Sequence, residues 1–406
     1  MKITGIEVLH CDAGWRTWSF VKISTETMGI KDVDGWSEVT DSHGSASGIE
    51  GVVKDLAPLL IGEDPRNVEK LYWKMYSRTR QSVGSIISKA IGGIENALLD
   101  IKGKYYGVPV YDLFGGAIRN RIPLYWSHCG TSRVRAYNHV NRGAITSLGD
   151  VPAFVEEIAE SGFNAIKTNI PIFPNVMDVS TWDAKNTDPH IYMPGFARTP
   201  GGPELNCRSE TANAIWDWIC AFKYALPNLS IILDLNYNFK TEGYIKIGQM
   251  LEDMGLLWLE IDTYDPKSLA EIRSSVRIPI CSGENLLGAH QFKPYFDAYS
   301  MDIASVDVIW NGFIRSLQIA SLANLYELNC TVHNYYSNLA TAISAHFCAC
   351  IPNFRIMEYD VDDVPWRDTL STTIPQIEDG VLTLNDGPGW GCDINEEVLH
   401  DNPRKI

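Results

Sequence analysis

Ser230-Ile-Ile-Leu-Asp234 and Leu256-Leu-Trp-Leu-Glu260 decide the fold. Each is a short apolar run closed by one acid, and the pattern recurs downstream. Glu284 follows Ile278-Pro-Ile-Cys-Ser-Gly283, Asp307 follows Met301-Asp-Ile-Ala-Ser-Val306, His333 closes Asn329-Cys-Thr-Val-His333, and Glu358 closes Arg355-Ile-Met-Glu358. The steps between these polar residues are 26, 24, 23, 26 and 25 residues. A buried strand, its loop and a covering helix together need about that length. Each polar residue is therefore expected at the carboxyl end of one strand of a repeating β/α unit. In a closed β/α barrel those ends converge on one face, and the active site lies there. Carboxylates crowded together repel unless a cation sits among them, so the pattern predicts a metal.

Working outward, the amino-terminal end has a different texture. Ile3–Leu9, Ser19–Ile23 and Gly35–Val39 read as strands, with Asp12-Ala-Gly-Trp-Arg-Thr-Trp18 as a loop between the first two. From about 46 to 106 the apolar spacing turns helical, most clearly in Ile91-Gly-Gly-Ile-Glu-Asn-Ala-Leu-Leu-Asp-Ile-Lys102. Near residue 120 the alternation of strand and helix begins, with Ile122–His128 and Phe163–Asn169 as the first two barrel strands. The expected organisation is an α+β unit over 1–118, an α/β barrel over 119–364 and a tail over 365–406 that includes the short strand Val381–Leu384. The step from Asn169 to Asp234 is far longer than the others. Its excess, 171 to about 206, is rich in Pro, Asn, Asp and Gly, which is loop chemistry at the active face and a candidate lid.

Bulk properties narrow the partners. The chain has 406 residues, is 45% hydrophobic and 21% charged, and carries a formal net charge of −16. That acidity argues against nucleic acid or an anionic membrane. No apolar run approaches the ~18 residues of a membrane span. Met1-Lys-Ile-Thr-Gly-Ile6 reads as a strand and not as a signal peptide. The nine cysteines are odd in number and lack a Cys-x-x-Cys pair, so buried free thiols in a reducing cytoplasm are expected.

Asp234, Glu260 and Glu284 end three successive strands. Three hard oxygen donors without a neighbouring Cys or His suit Mg²⁺ better than Zn²⁺, and leave about half of an octahedral shell for water and substrate.

Asp234-Leu-Asn236, Trp258-Leu-Glu260, Ser282-Gly-Glu284-Asn285, Asp307 with Asn311-Gly312, and Val332-His333 together resemble the enolase superfamily, mandelate racemase subgroup. Ile94-Glu-Asn-Ala-Leu-Leu-Asp-Ile-Lys102 with Gly107-Val-Pro-Val-Tyr-Asp-Leu-Phe-Gly-Gly116 is similar to that family's capping-domain signature, and Pro388-Gly-Trp-Gly391 to its return segment. The resemblance implies a modified TIM barrel, (β/α)7β, with an N-terminal α+β capping domain. It also implies one Mg²⁺ per subunit, a homo-oligomer, and removal of a proton α to a carboxylate through an enediolate.

Within that resemblance His333 is the candidate base and Asp307 its orienting acid, because a carboxylate on one ring nitrogen fixes the tautomer and raises the basicity of the other. Lys167 matches a lysine that supports the substrate carboxylate. Asn169 stands where racemising relatives carry a second basic lysine, and an amide cannot accept a proton at neutral pH. One competent base favours β-elimination of water from a sugar acid, with Lys167 the residue able to change that reading. The Lys167-Thr-Asn169 pattern and the long insertion are similar to L-lyxonate or related aldonate dehydratases. Glu358 matches a position that bonds a substrate carboxylate oxygen, electrophilic if protonated, with an ordinary salt bridge as the alternative. Arg16, His43, Asn169, Asn236 and Tyr237 are candidate substrate contacts, with His128, Asn334, Tyr336, Asn338, Arg198, Asn206 and Arg208 behind them. A cycloisomerase or racemase acting on a sugar acid or lactone, and a non-catalytic sugar-acid binder, are the rival functions.

Overall fold

The computed structural model describes residues 1–27, 32–41, 44–82, 84–173, 188–192 and 206–405. The chain opens with an antiparallel meander: β1 (Lys2–Ala13), β2 (Arg16–Glu26) and β3 (Gly35–Glu38). The stretch expected as a loop at 12–18 is strand on both sides of a two-residue turn, since Ala13 pairs with Arg16. Gly14 at φ 74 supplies the left-handed residue that so tight a turn requires. Three helices follow: α1 (Ala46–Leu56), α2 (Val68–Thr79) and α3 (Ser85–Tyr106).

α3 is the seam of the molecule. Every residue from Ala90 to Ile101 is buried, as for a helix packed on all sides. Gly92 lets it approach the barrel: a Cβ there would lie 2.8 Å from both Gly312 N and Trp310 O. Its polar residues satisfy backbone on neighbouring elements. Asn96 Oδ1 accepts from Phe313 N (2.8 Å) and Glu95 Oε1 from Ile314 N (2.8 Å), at the start of a barrel helix. Asp100 accepts from Trp36 N (2.9 Å), Trp390 N (3.0 Å) and Lys104 Nζ (2.6 Å), joining the meander, the tail and the helix.

The barrel strands are β4 (Arg121–Ser127) and β5 (Ala165–Thr168), then, after the short pair β6 (Pro171–Ile172) and β7 (His190–Ile191), β8 (Ser230–Asp234), β9 (Trp258–Glu260), β10 (Ile280–Ser282), β11 (Ile303–Val306), β12 (Asn329–Val332) and β13 (Phe354–Asp360). Neighbours pair in parallel in this order, and β13 pairs with β4 to close the ring. Helices Val151–Glu160, Ser209–Ala225, Thr241–Leu251, Pro266–Ser275, Ala289–Asp297, Phe313–Leu325 and Asn338–Cys350 follow the first seven barrel strands, which is the (β/α)7β pattern. Tyr125, Ala165, Ile232, Trp258, Cys281 and Ile303 fill the barrel interior as an apolar plug. No helix among the described residues is long and apolar enough to cross a membrane. The nine cysteines are all free, and six of them are buried.

β14 (Gln376–Glu378) and β15 (Val381–Thr383) form a hairpin that pairs antiparallel with the amino-terminal half of β4. The chain then returns to the meander, where Asp12 N bonds Asn402 O (2.9 Å). Asp100 thus ties three chain segments with one carboxylate, which burial against Lys104 raises to about 6. Asp100→Ala strands two buried N–H donors and a lysine, so urea unfolding should report a loss of about 3–5 kcal/mol, with Asp100→Asn losing less.

Candidate active site

Side chains alternate along a strand with a period of two. The plug residues therefore specify what stands one layer above them. Tyr125 leads to Ser127, Ala165 to Lys167 and Asn169, Ile232 to Asp234, Trp258 to Glu260, and Ile303 to Ser305 and Asp307. Thr331 likewise leads to His333, and Ile356 to Glu358. Glu284 is out of step, three residues past Cys281. Gly283, at φ 117, resets the phase, and a Cβ on it would lie 2.8 Å from the Phe292 ring. The polar layer gathers at the carboxyl ends of the strands, beneath the capping domain. Trp310 Nε1 bonds Thr40 O (2.7 Å), and Glu38 accepts from the Ser337 N–H (3.1 Å) and hydroxyl.

Lys167 lies at the centre of the acids. Its Nζ is 2.6 Å from Glu358 Oε1, 3.3 Å from Glu260 Oε1 and 3.7 Å from Asp234 Oδ2. Burial opposes its charge, but Glu260 and then Glu358 outweigh burial and hold it well above the usual lysine range. Lys167 is thus a pinned ammonium and not a free base. Glu358 pairs with it and not with Arg355. Burial pushes Glu358 up, yet Lys167 and then His333 pull it down to about 2. Ser127 Oγ and Asn334 N (2.7 Å) also donate to it, so in this state Glu358 is a carboxylate and not an acid donor.

His333 Nδ1 is 2.7 Å from Asp307 Oδ2 and therefore carries the proton of that bond, leaving Nε2 as the working nitrogen. Asp307 is fully buried and is held by Trp310 N (2.8 Å) and the Tyr336 hydroxyl (2.6 Å). Nε2 faces Glu284 Oε2 at 3.6 Å. Burial lowers the His333 pKa, but Glu284 and then Asp307 raise it to about 10. A cation held by Glu284 would remove the largest of those raising charges and return the imidazole toward the neutral form a base needs.

Glu260 is pushed up to about 8, first by burial, against Lys167, with Asp234 and Glu284 adding to it. Asp234 is raised by burial and then by Glu284, in opposition to Lys167. Asp262 is a fourth acid here, and it is missing from the sequence expectation. It is 3% exposed and driven well above the carboxylate range, by burial first and then by Glu284 and Asp234. Its signal was present: it continues the inward alternation Trp258, Glu260, Asp262. These hard carboxylate oxygens fit a divalent cation in donor chemistry, and Asp234, Glu260 and Glu284 could hold it. As the side chains stand, no three metal-ligating groups among the described residues are close enough to share one ion, because Lys167 and Asn285 lie between them.

The remaining candidates divide. Asn169 Nδ2 lies 3.4 Å from both Asp234 O and Asn236 Oδ1, on the rim of the acids. Asn236 is at φ 44 and its N–H bonds Asp234 Oδ1 (3.0 Å). Tyr237 is 40% exposed and stacks on Tyr264 at 4.8 Å. His128 pairs with Asp360 at 3.0 Å. Arg16 is engaged by Tyr335 O (2.9 Å) and Asp363 (2.7 Å), a tie between capping domain and barrel. Asn334 and Tyr336 hold Glu358 and Asp307. Asn338 bonds Asp368 and Asn206 accepts from Lys240 N, both away from the acids. Arg208 is the N-cap residue of helix Ser209–Ala225. His43 and Arg198, with most of the 171–206 insertion, lie outside the described residues.

Comparisons with known proteins agree with this fold. Residues 150–398 match the model of the enolase C-terminal domain-like family, and residues 13–115 match the mandelate racemase / muconate lactonizing enzyme N-terminal domain. A solved Burkholderia xenovorans (strain LB400) structure, named as a candidate L-alanine-DL-glutamate epimerase bound to magnesium and fumarate, is 41% identical with a TM-score of 0.92, covering 100% of this chain and 97% of its own. A D-galactonate dehydratase family member of Streptomyces bingchenggensis is 28% identical over 98% of this chain and 92% of its own length. A D-galactarolactone cycloisomerase of Agrobacterium fabrum is 27% identical over 90% of this chain and 86% of its own.

Groups that hold protons in the free site must release them to hold a cation. With Glu260 near 8 and His333 near 10, divalent-cation affinity should rise with pH through neutrality. Calorimetric titration with Mg²⁺ in buffers of different ionisation enthalpy should show net proton release, and Glu260→Gln should abolish most of the binding.

Proposed function

The chain belongs to the enolase superfamily, and from that premise we propose that it dehydrates a sugar acid to a 2-keto-3-deoxy acid with Mg²⁺ as its cofactor. The observation that carries this reading is the asymmetry of the site. A buried His333–Asp307 pair stands on one side of the acids, and Asn169, an amide, stands on the β5 side. Racemisation needs an acid–base group on each face of the reacting carbon. Loss of water can use one, if that group takes the α-proton and returns it to the leaving hydroxyl.

Asp234, Glu260 and Glu284 would hold the cation, which when bound polarises the substrate carboxylate and stabilises the doubly charged enediolate. The chain's own residues do the rest. Lys167, pinned by Glu260 and Glu358, presents a fixed positive charge to the oxygens that gain negative charge, with no reorganisation required. Asp307, itself fixed by Trp310 and Tyr336, keeps Nε2 of His333 the basic nitrogen. Nε2 removes the proton next to the carboxylate, the C–O bond at the β-carbon breaks, and the protonated imidazole delivers the same proton to the departing hydroxyl as water. The resulting enol becomes the 2-keto acid. The Streptomyces relative supports dehydration. The Agrobacterium relative supports cycloisomerisation as the second reading, because ring rearrangement passes through the same enediolate and also manages with one base.

Incubation of a sugar-acid library with Mg²⁺ in D₂O, followed by ¹H NMR, separates these. Dehydration gives a 2-keto-3-deoxy product with deuterium at C3. Rearrangement or solvent exchange with all oxygens retained would refute dehydration. His333→Asn should lower kcat by about 10²–10⁴-fold while Mg²⁺ binding persists, and Asn169→Ala should keep most of the activity. A dead Asn169→Ala beside an active His333→Asn would reverse the assignment of the base.

A further inference from the structure

Arg135 closes the short helix Thr131–Arg135 that follows β4, on the active face of the barrel. Its guanidinium lies over the Trp15 ring at 4.3 Å, where Arg16 also stacks at 4.7 Å. Trp15 in turn stacks on Tyr335 (5.8 Å, 13° between planes), and the Tyr335 ring is 4.9 Å from that of His333. A line of rings thus runs from the base to Arg135, which places Arg135 at the mouth of the site, away from the reacting carbon.

The other cations of this mouth are matched. Arg16 pairs with Asp363 at 2.7 Å, Arg133 with Asp362 at 2.8 Å and with Glu157 at 2.6 Å, and Arg367 lies 3.5 Å from Asp368. Asp360 is taken by His128 at 3.0 Å. Arg135 makes no ion pair or hydrogen bond among the described residues, and its Nε is buried without a partner. Burial lowers its pKa to about 10, with Asp360 opposing burial and Arg16 adding to it, and Asp234 is among the charges that reach it. Arg135 is partly buried, and a guanidinium whose Nε is out of water without an acid is costly, while a hydroxyl compensates only its hydrogen bonds. A carboxylate compensates both charge and geometry, because its two oxygens match the planar fork.

We propose that Arg135 binds a second carboxylate at the far end of the substrate, so that the preferred substrates are sugar diacids (aldarates) and not the matching monoacids. This inference rests on the sugar-acid reading above and narrows it. Trp15 serves as the apolar wall that keeps the fork planar and dry.

The test is calorimetric titration of the Mg²⁺-loaded full chain with a panel of aldarates and the aldonates of the same configuration, in the wild type, Arg135→Gln and Arg135→Lys, followed by turnover in D₂O. The expected result is that at least one diacid binds the wild type about tenfold or more tighter than its monoacid. Arg135→Gln should erase most of that preference, through KM more than kcat, and Arg135→Lys should restore part of it. Equal binding of diacid and monoacid, no diacid binding, or a preference unchanged in Arg135→Gln would overturn the proposal. The two readings fail separately. A monoacid dehydrated without regard to Arg135 removes this inference and keeps dehydration. A diacid that depends on Arg135 but is isomerised with all its oxygens retained removes dehydration and keeps Arg135.

Discussion

The constraint on which this structure depends is buried negative charge. Asp234, Glu260, Asp262, Glu284, Asp307 and Glu358 converge at one end of the barrel, and all but Glu284 are at most 4% exposed. Like charges at that depth are tolerated only with compensation in place. The protein supplies Lys167 and His333 from within the barrel. The proton affinities of Glu260, Asp234 and Asp262, all raised first by burial, show that these two cations do not complete the balance. Unmet charge of that kind suits a divalent ion, and it is consistent with the largely apolar layer beneath. Tyr125, Ile232 and Trp258 exclude the water that would otherwise screen the acids.

That electrostatic demand is met by positional precision, and the capping domain provides it. α3 reaches the barrel through Gly92 and satisfies the first N–H groups of helix Phe313–Leu325 with Asn96 and Glu95. The same loop, Asp307 to Gly312, carries the acid that orients His333. Trp310 belongs to this loop as well, bonding Thr40 of the cap while its ring lies 5.2 Å from that of His333. The His333–Asp307 contact and domain docking therefore share one short segment.

Asp307 illustrates how a small group of bonds fixes one side chain. It accepts from a backbone N–H, a tyrosine and a histidine, so the imidazole cannot rotate or change tautomer freely. Nothing comparable supports position 169, where an amide lies against Asp234 O and Asn236. The two sides of the acid cluster are thus unequal, with His333 tied to Asp307 on one and the Asn169 amide on the other.

The sequence by itself determined the strand ends. A period of about 25 residues, each apolar run closed by a polar residue, is a local pattern, and local patterns survive in one dimension. Asp234, Glu260, Asp307, His333 and Glu358 were legible as strand ends for that reason, while the return of the tail was legible only through the resemblance of Pro388-Gly-Trp-Gly391 to a family segment. Asp262 was equally available from the inward alternation Trp258, Glu260, Asp262, but a pattern of one acid per strand passes over it. Other features depend on which atoms meet. Lys167 is a fixed cation because three acids from β8, β9 and β13 surround it, and Glu358 is ionised for the same reason. Arg16 is a tie because Tyr335 and Asp363, more than three hundred residues away in the chain, come to it. Among the described residues Arg135 has no acid of its own, because Asp360, Asp362 and Asp363 are engaged by His128, Arg133 and Arg16. Charge state and free valence are properties of a neighbourhood, and the neighbourhood exists only after the barrel closes and the cap is seated. The chain order therefore told which residues face the site, and only the tertiary structure decided what each of them is free to do.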